Sequence, residues 1–202
     1  MKDLNIPTPS EEEVERYLKI WENVDDYKLS ENCLQNLFLN TYPLNNNLDE
    51  VLIKVCSLKS LYGLVIYSPI AVAKHIVSLK IDKRLLEKDL TVVNEIAKVK
   101  INGGRIINFY SFATKYCSHH QVLDYPIYDS YVDEVLWYFK RKGHFDFYRE
   151  ELKLYPSFNK ILNEFRITLK LEKFDLRQID KYLWLLGKEY FSKNYNKSNK
   201  KP

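Results

Sequence analysis

The chain has 202 residues, with 31 Lys and Arg against 27 Asp and Glu, for a formal net charge of +4. Its 46% hydrophobic content, with 16 Tyr, 10 Phe and 3 Trp, supplies ample material for a core and excludes a disordered or collagen-like chain. Five Gly and seven Pro are too few for the tight turns of a β-sandwich or barrel and suit long helices joined by polar loops.

Charge is segregated along the chain. Residues 1–50 carry 11 acids and 4 bases, whereas residues 51–187 carry 15 acids and 22 bases, and residues 188–202 carry 1 acid and 5 Lys. A basic body of this kind can attract a polyanion, unless the acidic head neutralises it on folding. Cys33, Cys56 and Cys117 stand singly, without a CxxC or Cys/His pairing, which points to a reducing compartment. The opening MKDLNIPTPSEEE has no apolar signal region, and no run reaches the length of a membrane span, so a cytoplasmic protein is expected.

In chain order, Ser10 with Glu13 forms a capping box, and Val14, Tyr17, Leu18 and Trp21 follow at helical spacing. A second helix is predicted from Ser30 through Phe38. A third follows the Asn45-Asn46-Asn47 loop, with Leu48, Val51, Leu52, Val55 and Cys56 on one face. Ser68-Pro69 opens a fourth over residues 70–79, because proline at the first position gives up only an amide with no intrahelical partner. Val92, Val93, Ile96 and Ala97 mark another helix, broken at Asn102-Gly103-Gly104 and resumed from Ile106, so an αα-hairpin is predicted. Asp129 or Ser130 caps a helix carrying Val132, Val135, Leu136 and Phe139 and closed by Gly143. Asp146, Ser157 and Asp175 read as further caps. No segment alternates convincingly as a strand. The predicted fold is all-α, about nine or ten helices in a compact two-lobed globule. It forms one domain over residues 1–192, with lobes at about 1–80 and 81–192, and residues 193–202 are a disordered basic tail.

Residues 98–132 concentrate the unusual chemistry. Gly103-Gly104 permits close backbone approach, and with Lys98, Lys100, Asn102 and Arg105 it offers a site for a DNA phosphate; a glycine helix stop is the structural alternative. Asp129, opening a helix, suits stabilisation of developing positive charge, or is an ordinary cap. Lys115 sits amid aromatics, where desolvation makes a nucleophilic amine, or else extends its head to solvent. His119 and His120 are adjacent and cannot form a metal pair alone, so no metal or other cofactor is expected. With Tyr110, Tyr125 and Tyr128 they are candidates for a base-stacking pocket, against the alternative that these rings are core. The sequence has no GxxxxGK[ST], GxGxxG, GxSxG or HExxH motif, which excludes the familiar nucleotide-binding, α/β-hydrolase and zinc-protease signatures.

The layout resembles the helix-hairpin-helix DNA glycosylase superfamily. In that resemblance residues 99–105 are the hairpin turn, residues 106–120 its second helix, and Pro126-Ile127-Tyr128-Asp129-Ser130 the aspartate motif, with the likeness covering about residues 48–139 and the helix from Asp175. The turn reads Lys100-Ile101-Asn102-Gly103-Gly104 in place of the family's Leu-Pro-Gly-x-Gly. No lysine follows it directly, and no iron-sulfur cysteine cluster is present. The resemblance implies a monomeric DNA-repair enzyme that binds double-stranded DNA and hydrolyses the N-glycosidic bond of a flipped, damaged or modified base, with Asp129 as the catalytic carboxylate. Lys115 matches no family position and is a candidate on its local chemistry. The alternatives are a non-catalytic DNA-binding module and a protein-interaction scaffold built on the acidic head.

Overall fold

The computed structural model describes residues 5–198, and among them are ten α-helices and one two-stranded sheet. Helix α1 (Glu11–Glu22) starts where Ser10 Oγ accepts the Glu13 amide, with three glutamates in its positive first turn. Helix α2 (Asp25–Gln35) begins ahead of Ser30, which lies inside it, and passes into a π-helical turn, Asn36–Thr41, that buries Phe38. Asn47 caps α3 (Leu48–Leu61), and Pro69 sits in the first turn of α4 (Pro69–Leu79). Two short helices, α5 (Asp82–Leu86) and α6 (Val92–Ala97), lead to the sheet. After it come α7 (Tyr110–His120), α8 (Ser130–Arg141), α9 (Tyr155–Thr168) and α10 (Leu176–Ser198). Asp175 Oδ1 accepts the Gln178 amide and Gln178 Oε1 accepts the Asp175 amide, so α10 has a reciprocal cap. The other two predicted caps are not caps: Asp146 opens no helix, and Ser157 lies inside α9, which follows Leu154. Helix α10 continues past Lys193 to Ser198, and residues 199–202 of the predicted tail lie outside the described residues.

The predicted αα-hairpin is a β-ribbon. Strands β1 (Lys98–Lys100) and β2 (Ile106–Asn108) pair antiparallel, Lys98 with Asn108, Val99 with Ile107 and Lys100 with Ile106, across a turn in which Gly103 and Gly104 both take positive φ. Val99 is buried and Lys98 and Lys100 are exposed, so the pleat sends one residue of β1 into the core and two outward. Three-residue strands are too short to declare a period of two, and the run Ile106-Ile107 fits a helical pattern equally well.

A single apolar cluster runs from Ile6 to Phe191, so the two predicted lobes share one core. Helices α8 and α10 pack together, as do α3 with α4, α6 with α7, and α1 with α10. The α8/α10 contact is close enough to require glycine: a Cβ on Gly187 would stand 2.6 Å from Tyr131 Cβ and 2.9 Å from the Tyr131 carbonyl oxygen. No described helix is long and apolar enough to cross a membrane.

Candidate functional site

Helix α7 is buried along almost its whole length, Ser111 excepted, although it carries Thr114, Lys115, Ser118, His119 and His120. Buried polar groups need partners, and those partners organise the site. Thr114 Oγ1 accepts the Tyr128 amide at 3.1 Å and lies 3.2 Å from the Tyr128 carbonyl, clamping the extended segment before α8 against α7. That clamp sets Asp129 beside Lys115. One carboxylate oxygen of Asp129, Oδ1, accepts the Tyr131 and Val132 amides at 3.0 and 3.1 Å and caps α8. Its Oδ2 has no hydrogen bond among the described residues.

Lys115 and Asp129 line one cavity of about 150 Å³. Its walls come from both ends of the chain: Trp21 and Tyr27, Glu31 on α2, Tyr62 after α3, Ile127, and Arg177, Asp180, Lys181 and Trp184 on α10. The rings of Trp21, Tyr27 and Trp184 lie edge-on or tilted to one another at 5.0 to 5.8 Å, an arrangement favoured by their quadrupoles. Lys115 is 3% exposed; its Nζ donates to Ser111 Oγ at 2.9 Å and lies 5.1 Å from the Tyr62 ring centre, without an ion pair among the described residues. Burial pushes its ammonium below the usual lysine range, against the opposing pull of Asp129 and Asp180.

A buried ion network forms the cavity's far wall. Arg177 donates through Nε and Nη2 to Glu31 Oε1, both at 3.1 Å, and through Nη1 to Asp180 Oδ2 at 3.1 Å. Glu31 Oε2 takes the Trp21 indole N–H at 3.1 Å and Lys181 Nζ at 2.8 Å. Burial alone would raise the Glu31 carboxyl, but Arg177 and Lys181 overcome it and hold it low. Asp180 pairs with Arg177, but burial outweighs the pull of Arg177 and Lys115 and pushes it up to about 7. The acidic head is thus consumed in part by the body: Glu31 meets Arg177 and Lys181, and Glu11 and Glu15 meet Lys173.

The other predicted positions lie elsewhere. Tyr110, Tyr125 and Tyr128 do not line this cavity: Tyr110 and Tyr128 pack at 5.0 Å, Tyr125 stacks on Tyr155, and Tyr128 donates to Asp133. Their apolar faces are core and not a stacking platform. His119 reaches the cavity only through Tyr62, its Nε2 lying 2.9 Å from the Tyr62 hydroxyl oxygen, and burial holds it at about 3. His120 belongs to a separate buried cluster with Asn45, Tyr116 and Lys54. Lys98, Lys100, Gly103, Gly104 and Arg105 are exposed on the ribbon, outside the cavity, and its three cations make no ion pair among the described residues; Asn102 lies in the ribbon's turn. No described cluster of His, Cys, Asp and Glu is able to hold a metal ion. Sequence reading missed Arg177 and Asp180. Their signal was two charged residues on a helix whose Leu176, Ile179, Leu183 and Leu186 are apolar, with Asp180 directly below Leu176.

Fold and site together define a mostly helical protein with a buried lysine and a carboxylate in one aromatic cavity. The chain belongs to the HI_0787_N family, whose N-terminal domain matches residues 13–124. That match includes Trp21, Glu31, Tyr62 and Lys115 and ends before Asp129, so the cavity is completed by residues beyond it. An uncharacterized protein of Haemophilus influenzae is 47% identical over 139 residues, which is 68% of this chain and 66% of the relative, just under two thirds of its length. No solved structure matches the chain.

Proposed function

We propose that this cavity excises a damaged or modified nucleobase from double-stranded DNA, with Lys115 as nucleophile. The observation that carries the reading is the meeting of a desolvated lysine, without an ion pair among the described residues, and the Asp129 carboxylate inside one aromatic-walled cavity. A flipped base enters between the rings, which reward stacking. The neutral Lys115 amine forms a bond to C1′ as the C1′–N bond breaks, and the base leaves with the electron pair and takes up a proton. Asp129 Oδ2 faces the positive charge that develops at the sugar. Loss of the amine proton and opening of the sugar ring give an imine, which water hydrolyses to return the amine. This route uses the buried amine, whereas direct hydrolysis would leave its burial unexplained. The exposed cations of the ribbon, Lys98, Lys100 and Arg105, serve the DNA backbone. The protein acts as a monomer in a reducing cytoplasm, a setting supported by its three free cysteines.

Duplexes carrying a panel of damaged bases, incubated with protein and sodium borohydride, test the proposal. Wild type should form a covalent protein–DNA adduct, Lys115→Gln should form none, and Asp129→Asn, which retains an oxygen for the cap, should react about 100-fold more slowly. If wild type leaves neither adducts nor abasic sites on any duplex, the protein is not an excision enzyme; duplex binding alone would then make it a DNA-binding module.

A further inference from the structure

A buried ammonium that serves as a nucleophile has to shed a proton before it attacks and another after its nitrogen has bonded to carbon. Few groups around Lys115 can take one. Tyr62, after α3, turns its ring toward Nζ, and its hydroxyl oxygen lies against His119 Nε2. His119, on α7 itself, is kept neutral by burial. Asp129 before α8 and Asp180 on α10 pull on the ammonium through space, Arg177 pushes against it, and neither carboxylate hydrogen-bonds Lys115 among the described residues. Glu31 and Lys181, on the same cavity, are spent on one another and on Arg177. The hydrogen-bond partner of Lys115 is Ser111 Oγ, one helical turn back.

Ser111 is set apart from the rest of α7. It is the one residue of the helix that is not buried, and it does not line the cavity. The serine therefore reaches Lys115 on one side and solvent on the other. Its own O–H donates to no acceptor among the described residues and is free to turn outward. Its backbone is fixed, because the Thr114 hydroxyl oxygen lies 3.0 Å from the Ser111 carbonyl oxygen and 3.2 Å from that of Tyr128. The clamp that sets Asp129 beside Lys115 thus also holds Ser111.

We propose that Ser111 is the proton outlet of Lys115: as one N–H proton passes to Ser111 Oγ, the Ser111 hydroxyl proton passes to bulk water, which leaves a free amine, an unchanged serine and the proton outside the cavity. A serine hydroxyl is too weak a base to keep the proton, so the two transfers are concerted. Ser111 acts through Lys115 and is a positioning residue: the same bond holds Nζ to the α7 side of the cavity. The proposal rests on the base-excision reading for the reaction that uses the amine.

The test applies two readouts to full-length protein between about pH 7 and 11. One is trace labelling with acetic anhydride, each lysine being followed by peptide mass spectrometry; the other is borohydride trapping on the damaged duplexes. Acetylation also releases an amine proton, so its plateau rate reads the outlet without DNA. In wild type Lys115 should titrate below the exposed lysines. Ser111→Ala removes a bond that favours the charged amine, so the labelling midpoint should fall by about 1 pH unit. Trapping and labelling above that midpoint should nevertheless slow about tenfold, because the proton has lost its route. More neutral amine with slower reaction separates a relay from a serine that only packs, whose loss would move neither. Ser111→Thr keeps the hydroxyl and should restore both. Ser111→Ala with midpoint and rates unchanged overturns the outlet and leaves the excision reading standing. A lower midpoint with faster reaction also overturns it, since the serine then only steadies the charge. Wild type without adducts on any duplex sinks the excision reading; a labelling plateau that still falls in Ser111→Ala keeps the outlet, and one that does not move sinks both.

Discussion

Replacing Gly187 by alanine isolates the contact that sets the two halves of the cavity at their distance. Gly187 lies on α10, one turn beyond Trp184, and faces Tyr131 on α8, two residues after Asp129. Two effects oppose each other. Alanine is the better helix former by about 1 kcal/mol. Against this, its methyl would stand 2.6 Å from Tyr131 Cβ, 2.9 Å from the Tyr131 carbonyl oxygen and 3.0 Å from the carbonyl carbon. Backbone atoms cannot rotate aside, so the helices must separate, and overpacking of this sort costs about 1–3 kcal/mol, at the upper end where backbone is the obstacle. The clash wins, for a net loss of about 1–2 kcal/mol. At 2–4 °C per kcal/mol for a chain of this size, the melting temperature should fall by about 2–8 °C in calorimetry. Because α8 carries Asp129 and α10 carries Arg177 and Asp180, borohydride trapping should fall as well at temperatures where the variant is fully folded. An alanine variant melting at or above wild type would refute the reasoning, since helix propensity would then have outweighed the contact.

Acid should destabilise the protein. His119, held at about 3, and His120, pushed well below its usual value, both take protons later in the folded than in the unfolded state, so their contribution is complete above about 6.5 and is lost as pH falls from there toward 3. Asp180, raised to about 7, works in the opposite sense: its contribution is complete below its unfolded value and is lost as pH rises through 7. Urea titrations across pH 4–7 should show stability falling with acid, less steeply in His119→Asn. Adduct formation should rise with pH, with a midpoint below the ordinary lysine value, because only the neutral Lys115 amine attacks; a flat profile would remove Lys115 from the chemistry. Lys100→Glu with Arg105→Glu should reduce the salt slope of duplex binding by about 2 and leave melting nearly unchanged, both side chains being exposed.

What could be read in advance was local. Ser10, Asp129 and Asp175 each accept the amides expected of a cap, because capping depends on residues two or three positions apart. Core was the alternative for Tyr110, Tyr125 and Tyr128, and core is where they lie. What resisted reading was either too short or too distant. A three-residue strand carries one inward residue, Val99, and one position has no period. The pairing of Glu31 with Arg177 joins residues 146 apart, and no pattern along the chain links them. Lys115 and Asp129 could be named because they stand close together along the chain, in the segment with the densest unusual chemistry. The walls of their cavity could not, because they join the acidic head to α10, which lies at the other end of the chain.

The two buried lysines among the described residues, Lys54 and Lys115, separate structure from chemistry. Lys54 is fully buried, and its Nζ donates to Tyr42 O at 3.1 Å, Leu44 O at 2.8 Å and Asn45 Oδ1 at 2.7 Å, so all three of its donors are used to close the loop before α3. Among the described residues Lys115 has a single acceptor, Ser111 Oγ, and a cavity before it. Replacing each by methionine, which matches the stem and lacks the charge, should therefore give opposite results. Lys54→Met removes the donor shared by three acceptors, one of them the buried Asn45 Oδ1, and should cost about 1–3 kcal/mol. Lys115→Met strands one hydroxyl, which can turn elsewhere, and removes a poorly compensated buried charge, so it should leave stability unchanged or raise it by about 1 kcal/mol while abolishing adduct formation. A site kept at a cost to the fold is the mark of function. If Lys115→Met destabilises as much as Lys54→Met, both lysines are structural and the cavity loses its nucleophile.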